Sequence, residues 1–321
     1  MPRDGVAPIV RSFPVSPIQR VATVGTNLAL APFRVLGTLA EPVRRDIQRD
    51  VRRSLGVRGE PRAPAMDAAT SFLDPAGVAR RVHGDLPGMM IGGLSALLLQ
   101  TLHPLAMAGV ADHSNYREDA TGRLRRTAEF VGATTYGTAE DARRAIARVK
   151  AVHTRVRGIA PDGRPYSADD PELVTWVHVA EVDSFLRAVQ RYGSGRFTPA
   201  ECDAYVEEMA VVAEALGATW VPRSVDEIDA YYRRLRPELY AGAQALTARG
   251  FLLRGVARRP EDRAVYAVLA GAAVGLLPPW ARRELRLPSP PLVDAVVVTP
   301  VARALCTGLR WAVPPPPAVR R

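Results

Sequence analysis

The sequence predicts an all-α fold, on the strength of three observations. Apolar residues recur at spacings of three and four along most of the chain, and helix N-capping patterns precede these stretches. No alternating apolar and polar run bounded by turn residues favours a sheet. The composition, 47% hydrophobic but only 6% aromatic, is typical of a helical protein rich in Ala, Leu and Val. We predict one large helical domain over residues 66–312, a peripheral segment over residues 1–65, and a Pro-rich tail over residues 313–321.

The peripheral segment and the most apolar stretch have different predicted places in the fold. EPVRRDIQRDVRRSLG (41–56) has apolar residues at 43, 47, 51 and 55, which predicts a one-faced helix that packs on the core, on a partner or on a membrane surface. The stretch 88–116 is apolar on all sides, so it is predicted to be central, with a break at Pro104. It is too short and too interrupted to span a bilayer, and so is 266–277.

Helix signals become clear after residue 118. Asp119 or Thr121 can cap a helix that carries Arg123, Arg126 and Thr127. The next helix opens at a capping box and is predicted to stop at Gly158, before a turn-rich loop. The remaining signals are the capping box TAED (138–141) of that helix, the N-cap pair Asp170 and Pro171, capping boxes at 198–201 and 224–227, and further helices across 238–249, 260–277 and 291–311.

Charge and cysteine usage limit the partners and the compartment. Lys and Arg exceed Asp and Glu by 43 − 33 = 10, and nearly all of the basic residues are Arg. Because the sequence shows neither a basic recognition helix nor an aromatic platform, no nucleic-acid partner is expected. A basic surface favours partial association with anionic membranes at low salt. Cys202 and Cys306 form no CxxC motif, which disfavours a disulfide scaffold and c-type haem. Without a signal-peptide pattern, the expected location is the cytoplasm or the inner face of its membrane.

All five histidines lie in the first 178 residues. His153 shares a helical face with Ile146, Val149 and Val156, and His178 shares one with Val174 and Glu181. Each is either a core histidine bonded to a carbonyl or part of a site. The absence of HExxH, ExxH and GxSxG disfavours zinc hydrolases, diiron proteins and serine hydrolases. Haem b needs one neutral helical imidazole, an apolar slot and cations, and the chain has each of these.

At residues 103–116, 123–127, 151–158 and 161–178, the motifs HPLAMAGVADHSNY, RLRRT, AVHTRVRG and PDGRPYSADDPELVTWVH resemble the catalytic domain shared by latex-clearing rubber oxygenases and the oxygenase MpaB, known as domain of unknown function 2236. The resemblance covers roughly residues 70–290. It implies a globin-like helical fold that holds non-covalent haem b, and oxidative cleavage of isoprenoid double bonds with dioxygen.

The resemblance also assigns roles to individual residues. His153 occupies the position of the iron ligand, and His178 that of a second histidine that supports the pocket. Arg123 and Thr127 match the family pattern, whereas Arg126 replaces a distal Lys, and a guanidinium stays protonated where an amine can bind iron. The family's distal Glu has no clear match, Asp112 being near but shorter, so rubber cleavage is not expected.

We therefore expect a haem b-dependent oxygenase that acts with dioxygen on a hydrophobic, isoprenoid-like small molecule, with Arg123, Arg126 and Thr127 as the catalytic residues and an unidentified electron donor. The alternative is a haem- or lipid-binding helical protein without turnover.

Overall fold

Helices supply nearly all of the regular structure in the computed structural model, which describes residues 41, 44, 45, 48, 49, 64–254, 260–287 and 291–314. The all-α prediction is confirmed. The globin-like arrangement stays a prediction. The predicted one-faced helix over 41–56 and the Pro-rich tail lie largely outside the described residues.

The helices follow one another with short connections. Before residue 157 they are α1 (Val78–His83), α2 (Leu86–Gln100), α3 (Pro104–His113), α4 (Ala120–Tyr136) and α5 (Ala139–His153). The middle of the chain forms α6 (Pro171–Tyr192), α7 (Pro199–Leu216), α8 (Val225–Leu235), a 3₁₀ turn (Arg236–Glu238) and α9 (Ala243–Arg254). The last part forms α10 (Pro260–Leu276), α11 (Pro279–Glu284), α12 (Pro291–Val293), a π-helical segment (Asp294–Val298) and α13 (Thr299–Ala312).

A small hairpin corrects the sequence prediction between α5 and α6. Strands β1 (Arg157–Ile159) and β2 (Pro165–Ser167) pair antiparallel around a turn in which Gly163 has φ 84°. The helix α5 was predicted to continue to Gly158, but it ends at His153, because the chain there turns at Thr154 and enters the hairpin. The hairpin packs on α3, where the Tyr166 hydroxyl donates to Asp112 Oδ2 at 2.7 Å.

Predicted capping residues start several helices. Thr138 and Asp141 form a reciprocal capping box at α5, and Thr198 with Glu201 does the same at α7. Asp170 accepts from the Glu172 backbone N–H ahead of Pro171 in α6. These side chains satisfy backbone donors that have no partner within the helix, so the helix starts could be read from local sequence.

The centre of the fold is the contact between α2 and α6. At Gly92 the two helices approach so closely that a Cβ would lie 2.9 Å from Ser184 O and from Phe185 Cδ1, so glycine is required there. Around this contact lies an apolar core with contributions from α1, α7, α8 and α11, which includes Leu98, Trp176 and Tyr205. Residues 88–108 are buried or half-buried, so most of the 88–116 stretch is central, as predicted, and the chain bends before Pro104. The end of the stretch is not central, because Asp112, His113 and Asn115 are exposed.

No single helix among the described residues is long and apolar enough to cross a membrane. Helices α2 and α3 meet the length and composition only together, and they are bent by 104° at their junction.

Candidate functional site

One end of α4 is fixed by buried polar contacts. The Arg80 guanidinium, 1% exposed, donates to the Thr135 carbonyl at 3.0 Å and to the Ala65 carbonyl at 2.6 Å. His83 Nδ1 lies 2.7 Å from Thr135 Oγ1, and His83 Nε2 lies 3.0 Å from the Tyr205 hydroxyl. A cation at the last carbonyls of a helix also complements its dipole. The C-terminal end of α4 is therefore held firmly against α1 and α7.

The N-terminal end of α4, by contrast, is largely exposed. Helix α4 packs on α5 and α1, but in the part of the chain that the structure describes it does not pack closely along α6. Arg123 points inward from this end, and its Nη1 donates to Ser114 Oγ at 2.9 Å. Protein surrounds the guanidinium on most sides, and this burial lowers the pKa of Arg123 from its ordinary value without bringing it near neutrality.

On α6, His178 and Glu181 stand one helical turn apart, so they share a face. Burial lowers the pKa of His178 to about 4, so its imidazole is neutral at pH 7. Neither ring nitrogen has a hydrogen-bond partner among the described residues. A neutral ring nitrogen without such a partner is able to bind a ligand.

Glu181 is enclosed by protein but weakly bonded. Gln100 Nε2 lies 3.5 Å from Glu181 Oε1, the limit of a hydrogen bond. Burial raises the pKa of Glu181 to about 7, although the Gln100 contact and the positive charge of Arg123 both oppose the rise. The carboxyl therefore exchanges its proton near neutral pH.

Arg123 and Glu181 face each other across the interval between α4 and α6, yet they do not form a direct ion pair in the described structure. Both side chains are half-buried, so each keeps some surface open to solvent or to a bound molecule. We call Arg123, His178 and Glu181 with this interval the interhelical slot. It combines a neutral imidazole, a carboxyl group that titrates near pH 7 and a permanent cation.

His153 lies elsewhere on the chain path, at the last residue of α5. Its side chain is half-buried, and burial lowers its pKa, an effect that the charge of Asp169 partly opposes. Its ring nitrogens have no hydrogen-bond partner among the described residues. Like His178, it therefore presents a neutral imidazole at pH 7.

The other predicted residues take surface positions. Arg126 is exposed and contacts Asp119 at 3.3 Å, and Thr127, also exposed, donates its hydroxyl to the Arg123 carbonyl at 3.2 Å. Asp112 is exposed and accepts from Tyr166, so its carboxylate is already engaged. Of the three residues predicted to be catalytic, Arg123, Arg126 and Thr127, only Arg123 belongs to the interhelical slot.

Glu181 was missed as a functional residue. The sequence contained the signal, because an acidic residue stood on the apolar face shared by Val174, His178 and Val182. A carboxylate in that position needs a partner or a function. Among the described residues, no group of three or more His, Cys, Asp or Glu side chains could hold a metal ion by itself.

The helical fold and the slot define an all-α protein with an internal group of ionisable side chains, of the kind found in cofactor-dependent enzymes. Residues 80–311, more than half of the chain, match the family model described as "ER-bound oxygenase mpaB/B'/Rubber oxygenase, catalytic domain", and the chain belongs to this family. It is accordingly an oxygenase, an oxidoreductase that uses dioxygen and a small-molecule substrate. Comparisons with curated proteins and with solved structures give no match.

Proposed function

We propose that this oxygenase depends on haem b and acts on a hydrophobic, isoprenoid-like small molecule. The observation that carries the proposal is His178, a buried neutral imidazole without a hydrogen-bond partner among the described residues, one helical turn from Glu181, whose pKa burial raises and the nearby Arg123 cation partly lowers. A haem needs one neutral imidazole from a helix and cations that meet its propionates. The residues of the interhelical slot fit these needs without a preformed cluster of metal ligands.

Two histidines compete for the iron. The family resemblance assigns this role to His153, which is neutral and unpartnered at the end of α5. His178 is the alternative iron ligand. It is 8% exposed and thus more deeply buried than the half-buried His153, and a ligand in a dry site is better protected from water. In the first assignment, His178 supports the pocket and orients what binds there.

A bound haem would supply the iron for the chemistry of dioxygen. Arg123 holds negative charge in the slot, because its guanidinium stays protonated and, among the described residues, donates its one hydrogen bond to a neutral hydroxyl. Glu181 stores or accepts a proton at its carboxyl oxygen near neutral pH. Arg126 and Thr127 are exposed within about one turn of Arg123, and we assign them to the rim of the slot, where they act on substrate entry.

The substrate class follows from the surroundings of the slot. Helix α6 carries Val174, Val179 and Val182 close to His178 in the sequence, and the apolar helix α2 packs along α6. A hydrophobic molecule gains by entering such surroundings, whereas a strongly polar one loses its hydration.

The absorbance spectrum of the protein expressed with sufficient haem tests the proposal. We expect a Soret band and a pyridine haemochrome of the b type. His153→Ala is expected to abolish haem binding and His178→Ala to alter the spectrum only; the reverse pattern would transfer the ligand role to His178. A colourless protein would refute the haem dependence, and haem binding without oxygen consumption in the presence of reductant and substrates would indicate a carrier.

A further inference from the structure

The C-terminal helical run presents an apolar face to solvent. Across α12, the π-helical segment and the start of α13, five large aliphatic side chains are 47–77% exposed. They recur at spacings of one, three and four, so they lie on one side of the run. A contiguous apolar face on a protein surface marks an interaction site more often than chance exposure does. We call it the aliphatic face; its members are Leu292, Val293, Val296, Val297 and Val301.

The same run turns its charge inward. Asp294, the only charged residue from 291 to 302, contacts Arg191 Nη2 at 3.1 Å. Gly275 makes room for it, since a Cβ there would lie 2.7 Å from Asp294 Oδ1. The Arg191 guanidinium also donates to Thr299 Oγ1 at 2.8 Å. A run that buries its Asp and exposes its valines reverses the normal arrangement of a surface helix, and π-helical segments occur frequently at functional sites.

Basic residues lie on both sides of the aliphatic face in the sequence. From residue 279 to residue 312 the acidic residues are Glu284 and Asp294 alone, and each is paired with an arginine. Arg283, Arg286 and Arg303 are exposed in the same part of the chain. The net charge of the protein is +10. The surroundings of the aliphatic face therefore favour an anionic partner.

We infer that the aliphatic face docks on the surface of an anionic lipid bilayer. Aliphatic side chains with arginines beside them match a hydrocarbon layer below acidic headgroups. A second copy of this chain fits less well, because it would bring two basic surfaces together. The run is also short, whereas a stable dimer buries about 800 Å² from some 20–30 residues on each side.

The inference is tested with the full-length protein and two kinds of vesicle. In flotation assays we expect binding to phosphatidylcholine vesicles that contain phosphatidylglycerol, and little binding to phosphatidylcholine alone. Val296→Gln should lower the partition coefficient about tenfold, because it removes a central aliphatic group at the contact. Salt at about 0.5 M should weaken the remaining attraction, since it screens charges.

A matched control variant exists on α7. Val211 is also an exposed valine, 42% accessible, but lies outside the C-terminal run. Val211→Gln should leave vesicle binding unchanged. Equal binding by wild type and Val296→Gln would overturn the inference, and so would an equal loss in both valine variants.

A fluorescent label distinguishes the other occupants of the aliphatic face. Both native cysteines, Cys202 and Cys306, are buried, so a Val296→Cys variant carries one accessible thiol. An environment-sensitive label there should report water before vesicles are added and an apolar medium afterwards. A blue-shifted emission without vesicles overturns the inference: if it depends on protein concentration the face binds a second copy, and if not, the chain's own N-terminal segment covers it.

Discussion

His83 and His178 are buried to the same extent, 8% exposed, and burial holds both imidazoles neutral, with the pKa of His83 lowered to about 3 and that of His178 to about 4. They differ in their partners. His83 contacts Thr135 and Tyr205 through its two nitrogens and meets Phe185 edge-on at 5.6 Å between ring centroids. His178 has no hydrogen-bond partner among the described residues. Burial and a lowered pKa therefore do not identify a functional histidine. An unpaired nitrogen separates His178 from His83 but not from His103, whose buried Nδ1 also has no partner among the described residues.

The largest expected effect is on the fixed histidine. His83→Ala should lower the free energy of unfolding by about 2–4 kcal/mol, because it leaves the Thr135 and Tyr205 hydroxyls unpaired and opens a cavity. His178→Ala also opens a cavity but breaks no hydrogen bond to the described protein, so it should cost about 1–2 kcal/mol less than His83→Ala. Denaturant unfolding of cofactor-free protein measures both. Equal losses would make His178 an ordinary core residue.

The second prediction concerns Glu181 and pH. The pKa of Glu181 is raised from 4.5 to about 7 by folding, so between these pH values the folded chain binds more protons than the unfolded chain. Glu181 thus opposes stability increasingly as pH rises through this window. The free energy of unfolding of Glu181→Gln should equal that of wild type near pH 4. By pH 8 it should exceed the wild-type value by about 1–3 kcal/mol.

The test compares Glu181→Gln with wild type at each pH because a second group also makes stability depend on pH. The lowered pKa of His178 raises stability as pH increases from about 4 to 6.5, whereas Glu181 lowers it. Glu129→Gln serves as the control, since Glu129 is exposed and its ion pair among the described residues is with Arg125 on the surface of α4. A pH-independent difference between Glu181→Gln and wild type would show that Glu181 titrates normally.

The third prediction sharpens the role of the His83 contacts. Tyr205→Phe removes one bond of His83 and should cost about 1–2 kcal/mol. Thr135→Val removes the other hydrogen bond of His83. The double variant should lose less unfolding free energy than the two single variants lose together, because both hydroxyls contact the same ring. Unfolding free energies of the three variants give the coupling; strict additivity would mean that the ring does not link them.

The sequence predicted those parts of the fold that depend on local signals. The capping boxes at Thr138 and Thr198 are visible within four residues, and the break at Pro104 follows from one ring. The hairpin at 157–167 was missed because strands of three residues are too short to show a period. Its formation also ended α5 at His153, five residues before the predicted stop at Gly158.

The site was predictable only in part for a related reason. Helical spacing placed His178 and Glu181 on one face of α6, but it could not show that α4 brings Arg123 opposite them. Nor could it distinguish Arg123 from Arg126, which lie one turn apart on the same helix. Which of two neighbouring arginines points inward depends on the packing of α4 against α1 and α5, and this packing is a tertiary property.

The smallest expected effect on stability separates those two arginines. Arg126 forms a surface ion pair with Asp119, and such pairs contribute about 0–1 kcal/mol, so Arg126→Ala should leave stability nearly unchanged. If Arg126 acts only at the rim, the variant should also keep oxygen consumption with a hydrophobic substrate within about twofold of wild type.

Arg123→Ala should have an equally mild effect on the helix, since alanine favours helices, but should lower turnover about tenfold or more, because the slot loses its cation. Measuring the rate and the melting temperature of both variants separates a lost function from a lost fold. A tenfold loss in Arg126→Ala with normal turnover in Arg123→Ala would transfer the functional role to the exposed arginine and, with it, detach the unpartnered His178 from the chemistry.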